Sequence, residues 1–208
     1  MGSLHVPRLA WPKWARPRRH RGPAALVVAV LATLTVVTST PHAAYAASDA
    51  PYGGTAAAVP GTIYAANYDT GGQGVAYNVT AANGTANSYR SDGVDLEATA
   101  DTQNATGAGA DDMGWTTAGQ WFKYTVNAAT AGTYTVSLRL ASPSGVTDGL
   151  HIASSSGANL SGNVNVPATG GWQTWTTVTV TVTLPAGQQT LTINQDNGGW
   201  NIHQLTFA

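Results

Sequence analysis

Apolar and polar residues alternate in short runs from Thr62 to the C-terminus, and Gly- or Pro-containing turns separate these runs. The clearest runs lie at 121–126, 134–140, 174–184 and 190–195, and they are rich in β-branched residues. Alternation with a period of two, interrupted at regular intervals by turn residues, is typical of strands in a sandwich or barrel. Because no stretch carries the apolar stripe of an amphipathic helix, the pattern predicts an all-β domain.

The longest run, 174–184, shows which face of a strand is buried. Val178, Val180, Val182 and Leu184 alternate in it with threonines. Successive side chains of a strand point to opposite faces of its sheet. We therefore expect the valine face to line the core and the threonine face to be solvated.

The first 46 residues have the composition of a secretory signal peptide. A basic region without acids precedes an apolar run at 24–37, and the small-residue site Ala44-Tyr45-Ala46 follows it. The apolar run is shorter than the roughly 20 residues that a spanning helix needs; the alternative is a retained membrane anchor. We expect cleavage after Ala46 and a secreted, extracellular product, by either Sec or twin-arginine export.

Composition divides the remaining chain into two parts. Residues 47–61 are small and nearly uncharged, which predicts a flexible linker. Residues 62–208 carry the alternating runs and form the predicted domain.

Residues 47–208 contain three basic and ten acidic residues, a net charge of −7. A negative surface repels phosphate backbones and anionic lipids, so neither nucleic acid nor a membrane is an expected partner.

The chain has no cysteine. Disulfides, thiolate metal sites and a cysteine nucleophile are therefore excluded, and the fold must be held by its core.

Three tryptophans lie beside glycines in predicted loops: Trp115, Trp172 and Trp200. A flat indole packs against the C–H face of a sugar ring, while amide and carboxylate groups bind its hydroxyls. This composition favours carbohydrate binding. The alternative is that these tryptophans close the ends of the sandwich as core residues.

Six motifs, in order along the chain, resemble carbohydrate-binding modules of family 6: YRSDGVDLEATAD, DDMGWTTAGQWFKYTV, GTYTVSLRLASPSG, VPATGGWQTWTTV, LPAGQQTLTI and NGGWNIHQLTF. The resemblance covers about 63–207. It implies a two-sheet antiparallel β-sandwich with jelly-roll topology. It also implies a module that is often attached to a glycoside hydrolase and binds β-linked polysaccharide such as β-glucan or xylan.

The resemblance implies a loop cleft in which two aromatic side chains enclose a sugar. Trp115 and Trp172 stand at the aromatic positions, Asn201 at an amide position, and Glu97 where some members carry a carboxylate. The alternatives are a solvated acid for Glu97 and a structural loop amide for Asn201.

Some members of the family carry a second cleft on a sheet face. Trp121 and Arg90 stand at the corresponding positions. A core position for Trp121 is the alternative, because strand tryptophans are usually buried.

The family often holds a structural calcium with acidic residues near both ends of the domain. This chain has Tyr64 and Ala66 at the first positions and His203 at the last. Calcium requires several oxygen ligands, usually carboxylates. We therefore expect no metal or other cofactor, and we interpret Asp111-Asp112 as a solvated turn; the alternative is a different ion bound near this pair.

The sequence favours a monomeric binding module over an enzyme. Glu97 is the single glutamate, no serine has the context of an activated nucleophile, and a glycosidase needs two opposed carboxylates. Two alternatives remain. One is a non-catalytic remnant or subunit of a glycoside hydrolase, and the other is a protein-binding surface adhesion domain.

Overall fold

The structure, a computed structural model, describes residues 48–80, 89–103 and 106–208. The predicted signal peptide lies outside these residues. The strands are β1 (Ala57–Val59), β2 (Gly61–Tyr64), β3 (Tyr77–Asn78), β4 (Leu96–Ala98), β5 (Asp111–Met113), β6 (Trp121–Ala128), β7 (Gly132–Ala141), β8 (Val146–Ser154), β9 (Val164–Val166), β10 (Thr176–Leu184), β11 (Gly187–Gln195) and β12 (Asn201–Phe207). Short 3-10 turns lie at Tyr52–Gly54, Ala65–Asn67 and Gly107–Ala110.

The strands form two packed sheets. The first has the order β1-β6-β11-β8-β9, and β3 also pairs with β6. The second has the order β10-β7-β12-β5-β4, and β2 also pairs with β12. The pairs are antiparallel except β1 with β6, which is parallel. The predicted two-sheet β-sandwich is confirmed.

The core is built from the inward positions of both sheets. Phe122 in β6 and Leu138 in β7 are fully buried, as are the corresponding residues of β8 and β12. Burying one such side chain stabilises the fold by roughly 1.5–3 kcal/mol. In β10 the threonines of the outer face are exposed and Val182 and Leu184 are buried, whereas Val178 and Val180 are half-buried. The predicted orientation of this strand is therefore correct, although the strand begins two residues later than its pattern indicated.

The prediction of a flexible linker at 47–61 is wrong, because part of this segment pairs with the domain. Ala50 and Thr70 exchange two backbone hydrogen bonds of 3.0 and 2.8 Å, and β1 pairs along 126–128 of β6. Small uncharged residues are common in linkers, but here their backbone completes the edge of a sheet. The ordered domain therefore begins upstream of Thr62.

In the described part of the chain, no helix has the length and apolar character needed to cross a bilayer.

Candidate functional site

A cleft of about 290 Å³ opens where β4, the start of β12 and two loops meet. One loop follows β5 and the other precedes β10. The residues lining the cleft are Glu97, Trp115, Thr116, Trp172, Gly199 and Asn201. The structure therefore brings together the four residues for which the family resemblance implied a common cleft.

Two indole side chains dominate this cleft. Trp115 is 42% and Trp172 51% exposed, and they are the exposed large hydrophobic side chains of the described residues. Burial normally removes such apolar area from water, and neighbouring exposed apolar side chains are typical of ligand- or partner-binding surfaces. Trp200, the third glycine-flanked tryptophan, is completely buried, and its indole N–H donates to the Asn197 carbonyl at 2.6 Å. For Trp200 the core alternative is correct.

Thr116 fixes the loop that carries Trp115. Its Oγ1 donates to the Trp200 carbonyl at 2.6 Å and accepts from the backbone N–H groups of Gly199 and Trp200. A Cβ at Gly198 would collide with the Thr116 carbonyl, so this close approach requires glycine. The loop after β5 is thus tied to the start of β12.

A network of amide groups holds the opposite wall of the cleft. The Asn201 side-chain NH2 donates to Glu97 Oε1 at 3.0 Å and to the Trp172 carbonyl at 3.1 Å. The Gln173 side chain accepts from the backbone N–H of Ala100 at 2.8 Å and donates to Glu97 Oε1 at 2.9 Å. Glu97 is half-buried and held by two donors, so the solvated-acid alternative does not describe it. An ionised carboxylate has further lone pairs for sugar hydroxyls.

A second carboxylate lies behind the first. Asp112 faces Glu97 across β4 and β5, is fully buried, and accepts from Gln173 Nε2 at 2.8 Å. Burial raises the pKa of Asp112 to about 7; the Gln173 hydrogen bond lowers it, and the neighbouring Glu97 charge raises it further. The solvated turn predicted for Asp111-Asp112 is wrong, because these residues form β5 and Asp112 is buried beneath the side-chain amides of Gln173 and Asn201.

Sequence reasoning missed Thr116, Gln173 and Asp112. Thr116 and Gln173 directly follow the predicted tryptophans, which is a usable signal because loop platforms need neighbours that fix them. Asp112 carries no such signal, since its burial depends on the strands packed over it.

Comparison with known proteins identifies the domain. The family model "Carbohydrate binding module (family 6)" matches residues 85–208, which is more than half of the chain. The chain belongs to this family. It is 32% identical over 121 residues to the clotting factor G alpha subunit of Tachypleus tridentatus, covering 58% of this chain but 17% of that protein's length.

Two solved structures place the module among family members. The carbohydrate-binding module CBM6cm-2 from Cellvibrio mixtus lichenase 5A, in complex with cellotriose, is 31% identical with a TM-score of 0.52. The similarity covers 72% of this chain and 96% of that one. A β-1,3-glucan-binding family 6 module from Bacillus halodurans is 25% identical with a TM-score of 0.53, covering 74% and 98%. The module therefore has the jelly-roll fold of its family.

The two residues predicted for a second cleft have different surroundings in this module. Trp121 is half-buried on the outer face of β6, between its register partners Asn78 and Asn194. Arg90 is buried instead. Its guanidinium donates to the Tyr68 carbonyl at 2.6 Å and lies 3.7 Å from the centre of the Tyr68 ring. Arg90 therefore does not belong to the predicted second cleft, because its guanidinium N–H groups donate to backbone carbonyls inside the fold.

The positions of the family's calcium ligands lie side by side in this module but do not fit the ion. The ring centres of Tyr64 and His203 are 5.7 Å apart, and the Trp175 ring lies 5.8 Å from that of His203. Aromatic rings at these positions supply no carboxylate oxygen. Among the described residues, no group of three or more acidic, histidine or cysteine side chains is arranged to hold a metal.

Proposed function

We propose that this domain binds β-linked polysaccharide, a β-glucan or a xylan, in the cleft between Trp115 and Trp172. The observation that carries the proposal is the exposure of both indoles at one cavity that also presents Glu97. Aromatic faces pack on the apolar faces of pyranose rings, and a fixed carboxylate accepts hydrogen bonds from their hydroxyls. Asn201 lines the cleft and holds Glu97 and the Trp172 loop in place.

The similar structures support a glucan as the ligand. One is a complex with cellotriose and the other a β-1,3-glucan-binding module. We also propose that the protein is exported. The first 46 residues have the composition of a signal peptide, and a polysaccharide ligand fits a protein outside the cell.

We propose that the domain has no catalytic activity of its own. Glycoside hydrolysis requires two carboxyl groups on either side of the scissile bond. Among the described residues lining the cleft, Glu97 is the one acid. Asp112 lies on the same wall and is fully buried, so it cannot act from the opposite side of a bound sugar.

Replacing Trp172 by alanine tests the proposal. We expect Trp172→Ala to weaken polysaccharide binding by roughly 10- to 100-fold, because the lost apolar contact is equivalent to about 1.5–3 kcal/mol. Affinity gel electrophoresis over laminarin, barley β-glucan, xylan and cellulose measures this loss. The side chain is half exposed, so the free energy of unfolding should change by less than about 0.5 kcal/mol.

The exposed Thr135→Ala variant, on the outer face of β7, is the control and should bind like the original protein. If Trp172→Ala keeps full affinity, or if no polysaccharide retards the original protein, the cleft does not have this function.

We propose that Trp121 forms a second, weaker sugar-binding surface with the two flanking asparagines. In the Trp172→Ala background, Trp121→Ala should abolish the remaining retardation while the protein stays folded by circular dichroism. A large drop in melting temperature with unchanged residual binding would instead assign Trp121 a packing role.

A further inference from the structure

β10 is an exposed sheet edge of unusual length. It pairs with β7 over all nine residues and, within the part of the chain that the structure describes, with no other strand. The other described edge strands, β1, β2, β3, β4 and β9, contain two to four residues. On such an edge, every second residue directs its backbone N–H and C=O away from the sheet.

The usual protections against edge pairing are absent from β10. Proteins blunt sheet edges with charges, prolines, bulges or very short strands. The sequence of β10, TTVTVTVTL, has no charge and no proline, and its register with β7 is continuous. Val178 and Val180, which face the core, remain half-buried at this edge and leave apolar surface for a further strand to cover.

The strand is complementary to itself. In an antiparallel pair of two copies centred on Val180, Thr179 of one copy lies opposite Thr181 of the other. In the same register Val178 lies opposite Val182. Threonines then meet threonines on the outer face, and valines meet valines on the inner face. Cross-strand pairs of β-branched residues stabilise antiparallel sheets.

Charge and size also favour a second copy as the occupant. Residues 47–208 carry a net charge of −7, which opposes self-association elsewhere, whereas β10 and the neighbouring Thr133, Thr135 and Ser137 are uncharged. Arg139, the charged neighbour that donates to Thr177, is neutralised by its ion pair with Asp101. Nine paired residues form about eight to ten backbone hydrogen bonds, similar to the roughly ten of a typical stable interface.

We propose that two copies of this chain associate through antiparallel β10–β10 pairing, with a twofold axis at Val180. The second sheets of the two copies then form one continuous sheet. The contact is closed to further copies, because the described residues of each chain form one long unpaired edge, and the partner covers it. This proposal replaces the monomer expected from the sequence.

If the cleft has its proposed function, the dimer should bind insoluble polysaccharide more tightly than a monomer does. Trp172 precedes the N-terminal end of β10, so antiparallel pairing places the two clefts at opposite ends of the shared strands. Such a dimer binds an insoluble polysaccharide at two points. We expect an avidity at least about tenfold above that of a monomeric variant, with equal affinity for a short soluble oligosaccharide.

Mass measurement without any sugar tests the pairing itself. Sedimentation equilibrium of the full chain, measured up to about 1 mM, should show a reversible dimer, because a dissociation constant of about 1 mM corresponds to a weak interface. The double variant Thr179→Lys/Thr181→Lys should be monomeric, because lysines then face lysines across the axis. Both positions are exposed, so its unfolding curve should match that of the original protein at concentrations low enough for both to be monomeric.

Two further variants test the register. Thr135→Lys is the matched control, since this residue is exposed on the same face but one strand inside the edge, and it should stay dimeric. Mixing the lysine double variant with Thr179→Glu/Thr181→Glu should restore a heterodimer. A monomeric original chain up to about 1 mM, a dimer that persists in the lysine double variant, or open-ended polymers would each overturn the proposal. These outcomes do not depend on sugar binding, so the two proposals fail separately.

Discussion

Asp101→Ala is expected to destabilise the domain by about 3–5 kcal/mol, the usual cost of leaving a buried partner charge uncompensated. The Asp101 side chain is inaccessible to solvent and pairs with Arg139 through two hydrogen bonds of 2.8 Å. His203 Nδ1 lies 2.9 Å from the same carboxylate, and its Nε2 lies 3.2 Å from the Gly109 carbonyl. Removing the carboxylate therefore leaves a guanidinium and a buried imidazole without their acceptor.

The same network predicts how acid affects stability. Burial raises the pKa of Asp101, but hydrogen bonds from Arg139, from His203 and from the Gln103 backbone outweigh it and lower the pKa to about 2. The unfolded value is about 4, so the folded state favours the ionised form. This gives about 2.5 kcal/mol of stability that is fully present above pH 4 and is lost as the pH falls through 2.

Urea unfolding at neutral pH and at about pH 3 measures both effects. The difference between the original protein and Asp101→Ala should shrink at the lower pH. Arg139→Ala should also destabilise strongly, and the double variant should lose clearly less than the sum of the two single losses. Additive losses, or a loss below about 1 kcal/mol for Asp101→Ala, would mean that the network does not stabilise the fold.

The features that could be read from the sequence are local ones. The strand character and orientation of β10 follow from alternation over nine residues, and glycine-flanked motifs marked Trp115 and Trp172 as loop residues. Neither needs knowledge of which distant segment packs nearby. The same glycine signal also marked Trp200, which is buried. Resemblance to a family added Asn201 and Glu97, which periodicity alone does not distinguish from other polar residues.

The features that escaped the sequence are set by distant partners. Residues 47–61 resemble a linker in composition, yet β1 completes a sheet edge against β6. Arg90 has the chemistry of a surface ligand, yet its guanidinium satisfies carbonyls at 66–69. Asp101 and His203 are 102 positions apart in sequence, so no local pattern pairs them. In each case tertiary hydrogen bonding, rather than residue type, decides the role.

Asp112→Asn is expected to remove a large part of the dependence of stability on pH between about 4 and 7. Burial also raises the pKa of Asp69 and of Asp111, so these two carboxyls account for the part that remains. Because the pKa of Asp112 is raised to about 7, the folded state binds a proton in this window that the unfolded state releases. Stability of the original protein therefore falls as pH rises through the window, by up to about 1.4 kcal/mol per pH unit and roughly 3–4 kcal/mol in all. Asparagine has the shape of the carboxyl, cannot ionise and keeps one oxygen to accept from Gln173 Nε2, while its NH2 replaces the acceptor of the longer, 3.4 Å hydrogen bond from Asn201. The variant should therefore be the more stable protein at pH 8.

The reason for keeping an acid here lies in its neighbours. The Gln173 NH2 donates to Asp112 and to Glu97, so the buried carboxyl helps to position the one that faces the cleft.

Asp148→Asn is the matched control. Asp148 is exposed and has a φ of 48°, a conformation that asparagine tolerates well, so its stability profile should follow that of the original protein. Urea unfolding across pH 5 to 8 separates the variants. If Asp112→Asn retains the original slope, another group is responsible for the titration; if it flattens the slope but weakens polysaccharide binding, the acid is retained for the geometry of the cleft at a cost in stability.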